Sequence, residues 1–354
     1  MAIEPVLGTR SQRAFMGTIL LQGIVVLVMV SITFRFVAEH VDLTEPRYKT
    51  LPCYLALFIL AEIFEVLMAF DALRLRNVIQ LVGILAFQLA LLVMSILQIH
   101  ETRAALVTAP GASGSANFLG GSGPGTLWRK VLPFLIVSPI VVGISEFIML
   151  FFVRHLYYEF GWAIFHVVGA NPAAKTMYQF YQIMICLLKF DFFCFTGVTM
   201  QLLIVVLSTN SAEFGLTIAA IPIVLVLLAG CGLAVQREIK SLMTVSLVIM
   251  LAAEAYFVYK LIRFYEPDSE GQYVTTRATL TVFTIVALLL MFTTFVVGLR
   301  CFTDFDKGLL SSKLHGQFYR PVNSSLMDDL FGGATHGKTS YNAGSQLEPR
   351  ISIE

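Results

Sequence analysis

Read from the N-terminus, the chain alternates long apolar runs with short polar breaks. Eight runs, at 14–36, 52–70, 77–98, 131–153, 179–206, 215–235, 241–261 and 279–300, each hold about twenty residues or more. A helix rising about 1.5 Å per residue needs that length to cross a hydrocarbon core of about 30 Å. The runs are continuously apolar, whereas barrel strands would alternate over about ten residues, so helices are predicted. The pattern predicts an all-α, polytopic transmembrane bundle of about eight spans, with seven as the alternative if one run lies in the interface. No internal repeat is visible in the letters.

The breaks divide the chain. Residues 1–13 read as a cytosolic N-terminus, 14–302 as the transmembrane helical domain and 303–354 as a disordered cytosolic tail. Asp71 to Arg76 and Gln236 to Lys240 are tight charged turns, which makes spans two and three, and spans six and seven, antiparallel neighbours. Residues 100–127 form a Gly- and Ser-rich loop, expected to be flexible. Segment 155–175 mixes Tyr157, Tyr158, Phe160, Trp162 and Phe165 with His155 and His166, a composition suited to the headgroup layer. Two readings stand for it: an interfacial helix, or extension of the flanking spans beyond the membrane. Lys and Arg are nearly balanced across the two sides, but two of them crowd into Gln236 to Lys240 while Ser208 to Phe214 has none. That favours both termini in the cytosol.

The tail is polar and has too little apolar surface to offset the entropy of ordering. It carries Leu309 and Leu310 as a dileucine, an acidic and apolar patch at Met327, Asp328, Asp329, Leu330 and Phe331, and a sequon at Asn323 that stays unused on the cytosolic side. The two apolar pieces have the chemistry of ligands for coat or adaptor proteins.

Composition agrees with the pattern. Of 354 residues, 57% are hydrophobic and only 13% charged, against about a quarter charged in a soluble domain. Twenty-four basic and 23 acidic residues leave a net charge of +1, without the basic stripe that nucleic acid requires. The expected surroundings are a lipid bilayer, with no nucleic-acid partner. Cys53, Cys186, Cys194, Cys231 and Cys301 are scattered through or beside apolar runs and read as small core residues. Metal-protease, phosphate-loop and nucleophile-elbow motifs are missing, and His155 and His166 read as interfacial residues. No catalytic residue, cofactor or metal site is expected, and the protein is not expected to be an enzyme.

Candidate chemistry lies in ionisable groups inside the runs: Glu62 and Glu65 in the second, Glu146 in the fourth, Lys189 and Asp191 in the fifth, Glu254 in the seventh. A charge at the centre of a spanning helix costs about 2.5–3.5 kcal/mol on insertion scales, so these six should face one another or a wet cavity. Depth counted along each helix puts Glu65, Glu146, Lys189 and Asp191 in one layer, with Glu62 and Glu254 nearer the midplane. Lys189 should therefore pair with Glu65 or Glu146. Pro139 and Gly143 precede Glu146 and can kink its helix. The network is read either as a polar or proton-linked path or as a fixed salt-bridge set that orders the bundle.

Three blocks resemble a known family. Tyr48 to Gln80 (YKTLPCYLALFILAEIFEVLMAFDALRLRNVIQ), Tyr158 to Ile164 (YEFGWAI) and Tyr178 to Phe195 (YQFYQIMICLLKFDFFCF) resemble an uncharacterised family of fungal multi-pass Golgi apparatus membrane proteins. The resemblance implies a multi-pass topology and a Golgi location. It assigns no catalytic or binding residue and no activity, so a transporter-like protein, a trafficking scaffold or cargo receptor, and a seven-span receptor all stay open.

Overall fold

The structure, a computed structural model, describes residues 7–43, 48, 50–108, 117–168, 172–205, 212–265 and 277–305. Among these, every regular element is a helix: α1 (Arg10–Ala38), α2 (Thr50–Leu75), α3 (Val78–Leu106), α4 (Leu127–Val168), α5 (Pro172–Val205), α6 (Ala212–Arg237), α7 (Lys240–Arg263) and α8 (Arg277–Asp304). Seven of them are long and apolar enough to cross a membrane. In α6 the apolar stretch so described is shorter, Ile221–Arg237. The polytopic helical bundle is thus present. The tail motifs at 309–310, 323 and 327–331 lie outside the described residues.

Helix starts follow local capping rules. Thr9 accepts the Gln12 backbone N–H at 3.3 Å, and Asn77 Oδ1 accepts those of Ile79 and Gln80 at 3.0 and 3.2 Å, satisfying donors that the first turn leaves unpaired. Both predicted tight turns form. Each closes on a residue with positive φ, Arg76 at 50° and Glu238 at 54°. The turn at Arg76 is shorter than the sequence suggests, because Asp71 still belongs to α2.

Apolar residues coat the outside as well as the inside. Phe147 and Val226, for example, are 76% and 70% exposed, a distribution that only hydrocarbon surroundings tolerate. All five cysteines are buried and none forms a disulfide. The helices pack as two groups, α1–α4 and α5–α8, which meet where α5 lies against α2 and α3. Phe64, Phe87, Phe190 and Phe193 fill that seam with ring centroids 4.8–6.0 Å apart. Gly83 lets α3 approach α5, since a Cβ there would stand 2.9 Å from Phe190 Cε2 and 3.1 Å from Cys186 Sγ. Gly83→Leu should therefore lower stability by about 1–3 kcal/mol, the usual cost of overpacking, measurable as a drop in Tm in detergent. An unchanged Tm would show that the seam can open without cost.

Two connecting segments are held by contacts elsewhere in the fold. Helix α4 runs unbroken from Leu127 to Val168, about 63 Å at 1.5 Å per residue. Its extension docks on the start of α1, where Gln12 Nε2 donates to Glu159 Oε1 at 2.7 Å. The Gly-rich loop is anchored at both ends. α3 reaches Leu106, Thr108 N–H donates to Gly120 O at 3.1 Å and Leu127 N–H to Phe118 O at 2.9 Å. The Phe118 ring packs 5.1 Å from His40 and under Lys130.

Candidate functional site

The six intramembrane residues separate into four places. Glu62 and Glu65, three apart on α2, share one face and point into the α1–α4 group, where both are buried. Glu146 of α4 is close enough to act on the charge of Glu65, as is Glu62. Gly23 of α1 makes room for the pair, for a Cβ there would lie 3.1 Å from Glu62 Oε2.

Two uncharged residues complete this site, and the sequence reading passed over both. Gln22 of α1 and Gln88 of α3 are buried and pair through their amides. Gln22 Nε2 also donates to Glu65 Oε2 at 3.3 Å, and Gln88 Nε2 reaches Val142 O at 3.4 Å. In this orientation Gln88 turns its own oxygen toward the Glu65 carboxyl, an arrangement that bonds only if Glu65 carries a proton. With the amide turned over, Gln88 Nε2 donates to both Glu65 oxygens at 3.0 Å while its oxygen accepts from Gln22 Nε2 at 3.0 Å. Turning it over also sets the Gln88 oxygen against Gln22 Oε1, so the two orientations are not equivalent.

Among the described residues no lysine or arginine pairs with Glu62, Glu65 or Glu146. Neither oxygen of Glu62 has a hydrogen-bond partner, nor has Glu146 Oε2. Carboxylates left so in a low-dielectric interior need a proton or a small cation as companion.

Lys189 is not part of this group. It pairs with Asp71 and bonds Gln80 Oε1 at 3.0 Å, while Gln80 Nε2 donates to Met68 O at 2.9 Å and to Asp71 Oδ2 at 3.1 Å. The expected pairing with Glu65 or Glu146 is therefore corrected. Depth along a helix fixes a layer but not a direction around the axis, and the nearest acid on the α5 side is Asp71. Asp191 lies apart in the α5–α8 group. It faces Thr294, whose hydroxyl proton is already given to Leu290 O at 3.0 Å, so both Asp191 oxygens are without a partner. Glu254 stands on α7 away from the others, with Oε1 unpartnered.

A signal for the missed residues was in the sequence. On α3, Gln80, Gln88, Ser95, Gln98 and Thr102 are all buried, and spacings of three, four, seven and eight put them on one face. From Gln80 to Thr102 this stripe covers about 33 Å at 1.5 Å per residue, the thickness of the hydrocarbon core. The buried sides of α1 and α4 add Thr33, Ser138 and Ser145. A line of uncharged hydrogen-bonding groups therefore runs the height of the first helix group, with the three glutamates beside it.

Over 273 residues the chain is 29% identical to a UPF0658 Golgi apparatus membrane protein of Schizosaccharomyces pombe, an alignment covering 73% of this chain and 77% of that protein. The chain is similar to that Golgi membrane protein. With several helices able to span a bilayer, the relationship supports a multi-pass Golgi membrane protein, as the resemblance of the three blocks implies. The relative's name states a place and no activity. No family model matches the chain, and no solved structure does.

Proposed function

We propose that the protein is a non-catalytic, proton-linked carrier of the Golgi membrane, with Glu65 as its proton-exchanging group and the α3 stripe as its polar path. The observation that supports this most is the site itself: three neighbouring carboxyl groups, none paired with a lysine or arginine among the described residues, set beside a hydrogen-bonding line as long as the membrane is thick. A fixed salt-bridge network would need cations among these acids. The one lysine expected to supply a cation is held by Asp71 instead.

Proton linkage can be read without knowing the cargo. In phosphatidylcholine vesicles containing the full chain, a pH jump should evoke a transient charge displacement absent from protein-free vesicles. Glu146→Gln should reduce it severalfold, because Glu146 is the least buried acid of the three and the one best placed to pass protons inward. A pH jump that moves no charge in protein-containing vesicles would overturn the proposal.

A further inference from the structure

The two helix groups are built alike. In the first, α1 packs on α4, α4 on α3, α3 on α2 and α2 on α1, closing a ring; in the second, α5, α6, α7 and α8 close a ring in the same order. In both, the contact of first with fourth helix is the most extensive, followed by third with fourth, first with second, and second with third. Helix α3 opens at Val78 and α7 at Lys240, 162 positions later.

The register holds at the level of single residues. The second and third helices of each ring are joined by one turn, in which the buried Ala72 or Ala234 accepts the N–H five residues on, from Asn77 at 3.0 Å or Ile239 at 2.9 Å. Arg76 and Glu238, 162 apart, take the left-handed conformation between them, the geometry of a Schellman cap. Beyond the turn, Leu81, Ile84, Gln88, Ser95 and Thr102 are buried on α3, and Met243, Ser246, Met250, Phe257 and Phe264 are buried at the positions 162 further on. Between α3 and α7 in this register only Leu85 with Leu247, Leu89 with Leu251 and Ala90 with Ala252 are identical, so the letters conceal what the packing retains.

The register also locates the counterpart of the acid site. Glu62, Glu65 and Gln88 correspond to Val224, Leu227 and Met250, and these three line an apolar recess together with Cys231 and Ser246. The Ser246 hydroxyl is spent on Leu242 O at 2.9 Å. The second ring keeps the place and has none of the charge.

We propose that α1–α4 and α5–α8 are tandem copies of one four-helix unit set in the membrane in the same direction, and that α6 accordingly crosses the membrane as α2 does. Parallel repeats of this kind are an established plan for membrane carriers. Here the rings meet through different faces, α2 and α3 of one against α5 of the other, so the relation is head to tail. The inference rests on packing and register and is independent of the proton reading.

The test reads sidedness in sealed microsomes containing the full chain, with a membrane-impermeant maleimide applied before and after permeabilisation. Single variants Arg76→Cys and Glu238→Cys place a thiol on the two equivalent turns, and Leu119→Cys and Tyr265→Cys place one at exposed positions after the third helix of each ring. The native cysteines are buried. Arg76→Cys and Glu238→Cys should react on one face, and Leu119→Cys and Tyr265→Cys on the other. Labelling of positions 76 and 238 from opposite faces, or of 76 and 265 from the same face, would mean that α6 does not cross and would overturn the tandem arrangement.

Discussion

Glu65→Gln should abolish the charge displacement that a pH jump evokes in vesicles, lowering its amplitude at least tenfold, while leaving the fold in place. Glutamine has the same shape as a protonated glutamate. Its oxygen can still accept from Gln22 Nε2, as Glu65 Oε2 does at 3.3 Å, and its nitrogen can donate to the Gln88 oxygen in the orientation that faces it. No buried polar group is orphaned, so stability should change by less than about 1 kcal/mol. What is lost is the capacity to give up a proton. Glu65→Leu serves as the contrasting variant: it removes proton exchange too, but leaves the Gln22 N–H that Glu65 accepts without that partner, which costs about 1–3 kcal/mol. Glu62→Gln should have a smaller effect, because the Glu62 oxygens bond to neither amide. Displacement of full size in Glu65→Gln, with Tm unchanged, would remove Glu65 from the mechanism.

Much of the fold was legible because its main determinant, the apolar run, is local. Eight runs predicted eight helices, and both charged turns fell where the structure places them. The candidate site was legible only in part. Charges in apolar runs are conspicuous, so Glu62, Glu65 and Glu146 were found. Gln22 and Gln88 were not, since an uncharged amide costs less to bury and attracts less notice, although the period of Gln80, Gln88, Ser95 and Gln98 along α3 would have exposed that face. From the letters alone Asp71 reads as a turn residue, because it lies close to Arg74 and Arg76. In the structure it stays helical, and Lys189 comes to it from a helix more than a hundred residues away. The anchoring of the Gly-rich loop was hidden for the same reason: Phe118 packs on His40 and Lys130, which only the fold brings near. The tandem register was hidden by substitution, because hydrocarbon accepts almost any apolar residue at a buried position and selects burial more strongly than identity.

Asp71 and Lys189 offer the second large effect, and here the sign depends on which partner is left. Both side chains are about one-third exposed, so the pair keeps some contact with polar surroundings and is weaker than a fully buried one. Asp71→Leu should be the more damaging single change. It leaves the Lys189 ammonium beside Gln80 Oε1, its remaining partner at 3.0 Å, and should cost roughly 2–4 kcal/mol. Lys189→Met leaves Asp71 still accepting from Gln80 Nε2 at 3.1 Å, so a loss of about 1–2 kcal/mol is expected. With both charges replaced, Asp71→Leu with Lys189→Met, most of that loss should return, because neither member of the pair is stranded and two apolar side chains suit the seam. Thermal unfolding of the four proteins in one detergent closes the cycle. Coupling near zero would show that the lysine and the aspartate act independently. The same cycle also separates the seam from the acid site: none of these three variants touches Glu65, so the pH-jump displacement should persist in each, and its loss in Lys189→Met would tie the two rings into one mechanism.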